Sequence, residues 1–170
     1  MSTGTRIPLA EACAIADDVI TQLSPHCSKL QIAGSIRRRR HTIGDIEIVC
    51  LPHAYEASPL FPTGIATVVN QWEKIKGELP CRYTQRLLPC GMKLDLFMPD
   101  PRGYGPQVAI RTGSADWCKK VLAPAWVRAG FRSKDGILHR ADGSVVPVYN
   151  ERALFELIGL KWVAPEDREV

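Results

Sequence analysis

The run Ile46-Glu47-Ile48-Val49-Cys50-Leu51 constrains this chain more than any other, because β-branched residues dominate it and nothing in it breaks an extended strand. Asp45 and Glu47 stand two residues apart at its start, so their side chains leave the same face. A third carboxylate, Asp95, sits in another apolar run, Lys93-Leu94-Asp95-Leu96-Phe97. If the two strands are neighbours in one sheet, the three carboxylates converge, and such a cluster repels itself unless cations occupy it. Hard oxygen ligands select Mg²⁺, or Mn²⁺ as the alternative, over softer metals. Two such ions, about 3.5–4 Å apart, serve phosphoryl transfer.

Around these strands the pattern alternates helix and strand. Leu9, Cys13, Ala16, Ile20 and Leu23 recur at helical spacing and predict an amphipathic helix from about Pro8 to Leu23, ended by Pro25. A short strand is expected at Lys29 to Ala33, then an arginine-rich helical segment after Gly34-Ser35. Pro52 to Gly64 reads as a loop. Ile65, Val68, Val69, Trp72 and Ile75 predict one face of a second helix. Arg82 to Leu87 and Met92 to Met98 are expected to pair as a hairpin around Pro89-Cys90-Gly91. The run from Pro99 to Pro106 breaks both periodicities and divides the chain. Beyond it come a helix from Gly113-Ser114 to about Ala129, kinked by Pro124, and a hairpin at Asp142-Gly143. Asn150 is the expected cap of a last helix ending near Gly159, with Trp162 in an extended tail.

Length and composition set outer limits. The 170 residues suffice for one compact domain or two small subdomains. No apolar run is long enough for a spanning helix, and acidic residues interrupt the N-terminal region before a secretory signal could form. The expectation is a soluble protein that stays inside the cell, in cytoplasm or nucleoid. The six cysteines show no CxxC pair or Cys/His cluster, so free thiols are expected rather than a zinc site or a disulfide framework. The net charge of +4 is only mildly basic. Its placement matters more: Arg37 to Arg40 follow directly on Ala33-Gly34-Ser35-Ile36. A small-residue turn lets backbone amides and a hydroxyl approach phosphate oxygens, and Arg38 can neutralise their charge.

The two elements together, Gly34-Ser35-Ile36-Arg37-Arg38 and Gly44-Asp45-Ile46-Glu47, resemble the GS…GDxD signature of the DNA polymerase beta superfamily, and of its family X polymerases in particular. The resemblance implies that Ser35 and Arg38, beside Gly34, bind the incoming triphosphate. It also implies that Gly44-Asp45, Glu47 and Asp95 form the metal-binding catalytic set, with Asp95 next to the primer 3′-hydroxyl. Thr112-Gly113-Ser114 resembles the family's TGS turn, which abuts the sugar, and Leu154 to Leu160 through Pro165 to Arg168 resembles its last helix and tail. Three departures stand out. Glu47 replaces an aspartate and reaches about 1.5 Å further. Ile110-Arg111 stands where a tyrosine and phenylalanine are usual, and Ala115 and Cys118 where polar residues are.

The fold implied is α/β (α+β): a nucleotidyltransferase palm with a mixed sheet and packed helices over residues 1–102, then a small α+β nucleotide-selection, thumb-like subdomain over residues 103–170. The function implied is addition of dNTPs to a primer on primer-template or gapped DNA, by a monomer without helix-hairpin-helix or lyase modules and with no membrane partner. Its grip on DNA would rest on Arg and Lys contacts to phosphate, be salt-sensitive, and leave room for an accessory DNA-binding partner. So stripped a core would suit a virus or phage. Two alternatives remain: a nucleotidyltransferase acting on tRNA, a small molecule or a protein, and a module that binds DNA ends or nucleotides without turnover.

Overall fold

The computed structural model describes residues 6–53 and 64–170. Most of the expected loop from Pro52 to Gly64 lies outside the described residues. The chain divides into two compact units, Met1–Met98 and Pro99–Val170.

The first unit is a five-stranded mixed sheet with a helical layer. Its strands are β2 (Cys27–Ile32), β4 (Asp45–Pro52), β5 (Glu73–Lys76), β6 (Tyr83–Leu87) and β7 (Lys93–Phe97), in spatial order β2-β4-β7-β6-β5. A small two-stranded ribbon, β1 (Ile7–Pro8) with β3 (Thr42–Ile43), leads into this sheet. The decisive pairing is β4 with β7, the parallel pair, in a register that sets Asp45 opposite Lys93 and Glu47 opposite Asp95. Alternation then sorts the side chains. Ile46, Ile48, Cys50, Leu94 and Leu96 turn to one face and form a core with Ala12, Ala16, Val19 and Leu23 of α1 (Leu9–Leu23). Burying four such small and branched side chains along one stripe is what holds this helix, since Pro8 offers no side-chain cap. The opposite face carries the carboxylates.

One expected helix is largely a strand. Only Ala66–Val69 (α3) is helical, and Ile75, placed on its face by periodicity, lies in β5 and is 44% exposed. The backbone of Glu73, Lys74 and Lys76 pairs instead with the open edge of β6, so sheet pairing overrides the helical pattern. A second helix, α2 (Gly34–Arg37), lasts about one turn. It closes with Arg39 N–H donating to the Ile36 carbonyl at 2.9 Å and Arg40 N–H to Ser35 at 3.0 Å, a Schellman ending. Arg39 takes the left-handed position there, φ 57°, where glycine is usual.

The second unit is α+β, as expected. It has α4 (Tyr104–Thr112), a helical stretch made of α5 (Ala115–Trp117), a π turn (Cys118–Leu122) and α6 (Ala123–Arg128), the strands β8 (Arg132–Lys134), β9 (Ile137–His139) and β10 (Val145–Val146), and α7 (Glu151–Leu157). Pro124 was expected to kink the helix; a wide turn accommodates it. Ala123 N–H reaches back to the Cys118 carbonyl, and the next residue is the proline that has no donor to give. The helix α4 begins inside the run read as a break, because Pro106 falls in its first turn, where a missing N–H breaks no bond. Asn150 caps α7 as expected, its Oδ1 accepting from Ala153 N–H at 2.9 Å. Among the described residues no helix is long and apolar enough to cross a membrane. All six cysteines are free thiols: Cys27 and Cys50 buried, Cys13, Cys81 and Cys118 half-buried, Cys90 exposed.

Candidate active site

In the first unit, the carboxylate face is acidic only where β4 and β7 begin. Further along, Val49 and Phe97 make it apolar. Asp45 opens β4, Glu47 follows on the same face, and Asp95 lies across the parallel ladder from Glu47. Burial raises the pKa of Asp45, and the charge of Asp95 raises it further, while Arg6, Lys93 and Arg38 pull it down. Two negative charges are therefore held close in a partly desolvated place, with three cations around them. That repulsion is what a bound divalent cation would remove, and the donors are hard oxygens, so the pair fits such an ion in kind.

Glu47 sits differently. A Cβ added to Gly34 would land on its carboxylate, so the side chain lies over Gly34. Gly34 follows β2, which pairs with β4 on the side away from β7. Among the described residues, no group of three or more His, Cys, Asp or Glu side chains stands ready to hold a metal ion. The structure thus brings Asp45 and Asp95 into electrostatic contact and keeps Glu47 on the glycine beside them. Gly34 is doubly required, by this contact and by its φ of 60°.

The remaining candidates of this unit cluster nearby. Ser35 and Arg38 are half-buried in and after α2, and Arg38 is near enough to act on Asp45. Gly44 immediately precedes Asp45, and a Cβ there would come within 3.3 Å of the Arg6 guanidinium. Arg6 is a residue that reading the sequence passed over. It donates to the Thr42 hydroxyl at 3.1 Å and carbonyl at 2.6 Å, which fixes it at the mouth of β4. Tyr83 and Gln85 were missed too: both donate to Asp95 Oδ1, at 2.6 and 2.8 Å. The signal available for them was the period-2 placement of Tyr83 and Gln85 in β6; the register that aims them at Asp95 is not written locally.

Thr112 and Gly113 belong to the second unit. Thr112 ends α4 fully buried, and Gly113 is backed by the Trp117 ring, which a Cβ would strike. Ser114 caps the next helix, its hydroxyl accepting from Trp117 N–H at 3.1 Å, and its own N–H donates to the Arg168 carbonyl at 2.9 Å. The tail thereby ties down the TGS turn. Arg168 is completely buried, paired with Glu151 at 2.5 Å and lying 4.9 Å from the ring centres of both Phe155 and Trp162. Its Nη2 has no hydrogen-bond acceptor, and these aromatic faces supply the attraction instead.

Residues 108–169 match the family model described as DNA polymerase beta thumb. The second unit resembles that thumb. The match begins within α4, runs through the TGS turn and the last helix to Glu169, and supports a relationship to polymerase beta-like proteins. A comparison with curated proteins found no match to the chain. The match lies within the second unit.

Proposed function

We propose that the chain is a nucleotidyltransferase that adds nucleotides to DNA in the manner of family X polymerases, by gap filling or short extension in repair. One observation carries most of this reading: the parallel β4–β7 register, which sets Asp45, Glu47 and Asp95 on one face with Arg6, Arg38 and Lys93 acting around Asp45. The thumb match supplies the DNA, since a polymerase thumb is a part of an enzyme that handles DNA. Asp45 and Asp95 would hold Mg²⁺, or Mn²⁺ in its place, and Glu47 would join them on leaving Gly34. When bound, the metal supplies charge neutralisation at the phosphates and a more acidic attacking hydroxyl. Arg6, Ser35 and Arg38 bind and orient the triphosphate, and Asp95 stands for the primer 3′-hydroxyl.

Extension of a labelled primer on gapped, recessed and unprimed DNA, with dNTPs or NTPs and Mg²⁺ or Mn²⁺, tests this directly. Templated extension lost in Asp45→Asn supports it, and a fully active Asp45→Asn sinks it. The position of Glu47 over Gly34 favours one second reading, a module that binds nucleotide or DNA with little turnover. On that reading the wild-type chain binds nucleotide without releasing pyrophosphate, and Glu47→Asp, too short to cover Gly34 as fully, gains turnover.

A further inference from the structure

Asp95 is 9% exposed, so its carboxylate has lost most of the water that would otherwise fix and solvate it. Two side chains of β6 replace that water, and both choose the same oxygen. Gln85 stands directly opposite Asp95 in the antiparallel β6–β7 ladder and donates from Nε2 to Oδ1 at 2.8 Å. Tyr83, one position further along the same face, reaches back with its hydroxyl to Oδ1 at 2.6 Å. Both lie within ordinary hydrogen-bond distance. The tyrosine is itself held: its ring stacks on Phe97 at 5.0 Å and 23°, and Lys76 Nζ lies 5.7 Å from the ring centre.

We infer that Tyr83 and Gln85 are positioning residues that saturate Oδ1 of Asp95, fixing the carboxylate's rotation and presenting Oδ2 as its single working oxygen. This deepens the proposed function and rests on it for the reaction, but not for cation binding. A carboxylate that pivots on an apolar strand could offer either oxygen or both. One pinned by two donors offers a single oxygen in a fixed direction, which is what aligning a hydroxyl or a cation requires. The clamp acts through Asp95, and neither donor touches a reacting atom.

The test uses the full chain with Tyr83→Phe, which keeps the ring stack, Gln85→Met, which keeps the length, and the double variant. Three quantities are read: kcat and KM for nucleotide addition, Mn²⁺ affinity by electron paramagnetic resonance without nucleotide, and Tm. The expected result is about 10-fold lower kcat in each single variant and about 100-fold in the double, the range for groups that orient a ligand. Nucleotide KM stays within about twofold, while Mn²⁺ affinity of the double variant falls about 10-fold. An active wild type whose variants keep kcat and Mn²⁺ affinity overturns the clamp alone. A wild type that adds no nucleotide, yet binds Mn²⁺ and loses it in the double variant, upholds the clamp and overturns the polymerase reading. A wild type that does neither overturns both.

Discussion

Each unit of this chain buries charge, and the two do so in opposite ways. In the second, Arg168 and Glu151 are opposite charges, paired at 2.5 Å, with aromatic rings around the guanidinium. In the first, Asp45 and Asp95 are like charges, and burial first, then the charge of Asp95, raises the pKa of Asp45. A matched pair holds its own neighbourhood together. A like-charged pair costs stability, offset here only in part by the cations Arg6, Lys93 and Arg38 around Asp45.

The largest effect expected is on activity. Asp45→Asn or Asp95→Asn should lower nucleotide addition at least about 100-fold, the scale of losing one essential charge-stabilising group, with circular dichroism unchanged. Primer extension reads it. Next, Arg168→Ala should lower unfolding free energy by about 3–5 kcal/mol, because buried Glu151 loses its Arg168 partner. Arg168→Met combined with Glu151→Met should recover much of that loss in a denaturant titration, and no recovery would mean that the aromatic contacts, not the ion pair, hold the tail.

The third effect tests the sign of the contrast. Because the folded-state pKa of Asp45 is raised, the stability linked to its proton is fully present below the ordinary carboxylate value of 3.8 and is lost as pH rises through the raised one. Asp45→Asn should therefore melt higher than the wild type at neutral pH, with the gap closing in acid. An equal Tm at neutral pH would dissolve the comparison. The smallest effect concerns Arg39, whose left-handed backbone costs about 1 kcal/mol. Arg39→Gly should raise stability by about that amount in a urea titration, and any accompanying loss of DNA binding would show what the arginine's charge is for.

Much of the fold could be read from the sequence because its signals are local. The β-branched run from Ile46 to Leu51 made β4 legible, Pro89-Cys90-Gly91 made the β6–β7 turn legible, and Asn150 marked α7. Most of what escaped was set by strand pairing rather than by local sequence. Ile75 follows a helical period but joins β5 because β6 offers an edge. One local signal escaped as well: the hairpin between β8 and β9 turns on Asp135-Gly136, both at positive φ. In the site, the three carboxylates were visible as residues at strand spacing, but the lean of Glu47 onto Gly34 and the grip of Tyr83 and Gln85 on Asp95 depend on strand order and register.

The parallel ladder has a consequence for how the protein comes into being. Parallel strands cannot be joined by a tight turn, so the β4–β7 contact is long-range, with β5 and β6 between the two strands in the chain. Closing such a distant contact is among the slower events of folding. The pairing that brings Ile46, Ile48, Leu94 and Leu96 into one core is the same pairing that brings Asp45 and Asp95 together. The acidic centre therefore depends on that ladder, and any local opening that separates β4 from β7 also separates the two carboxylates.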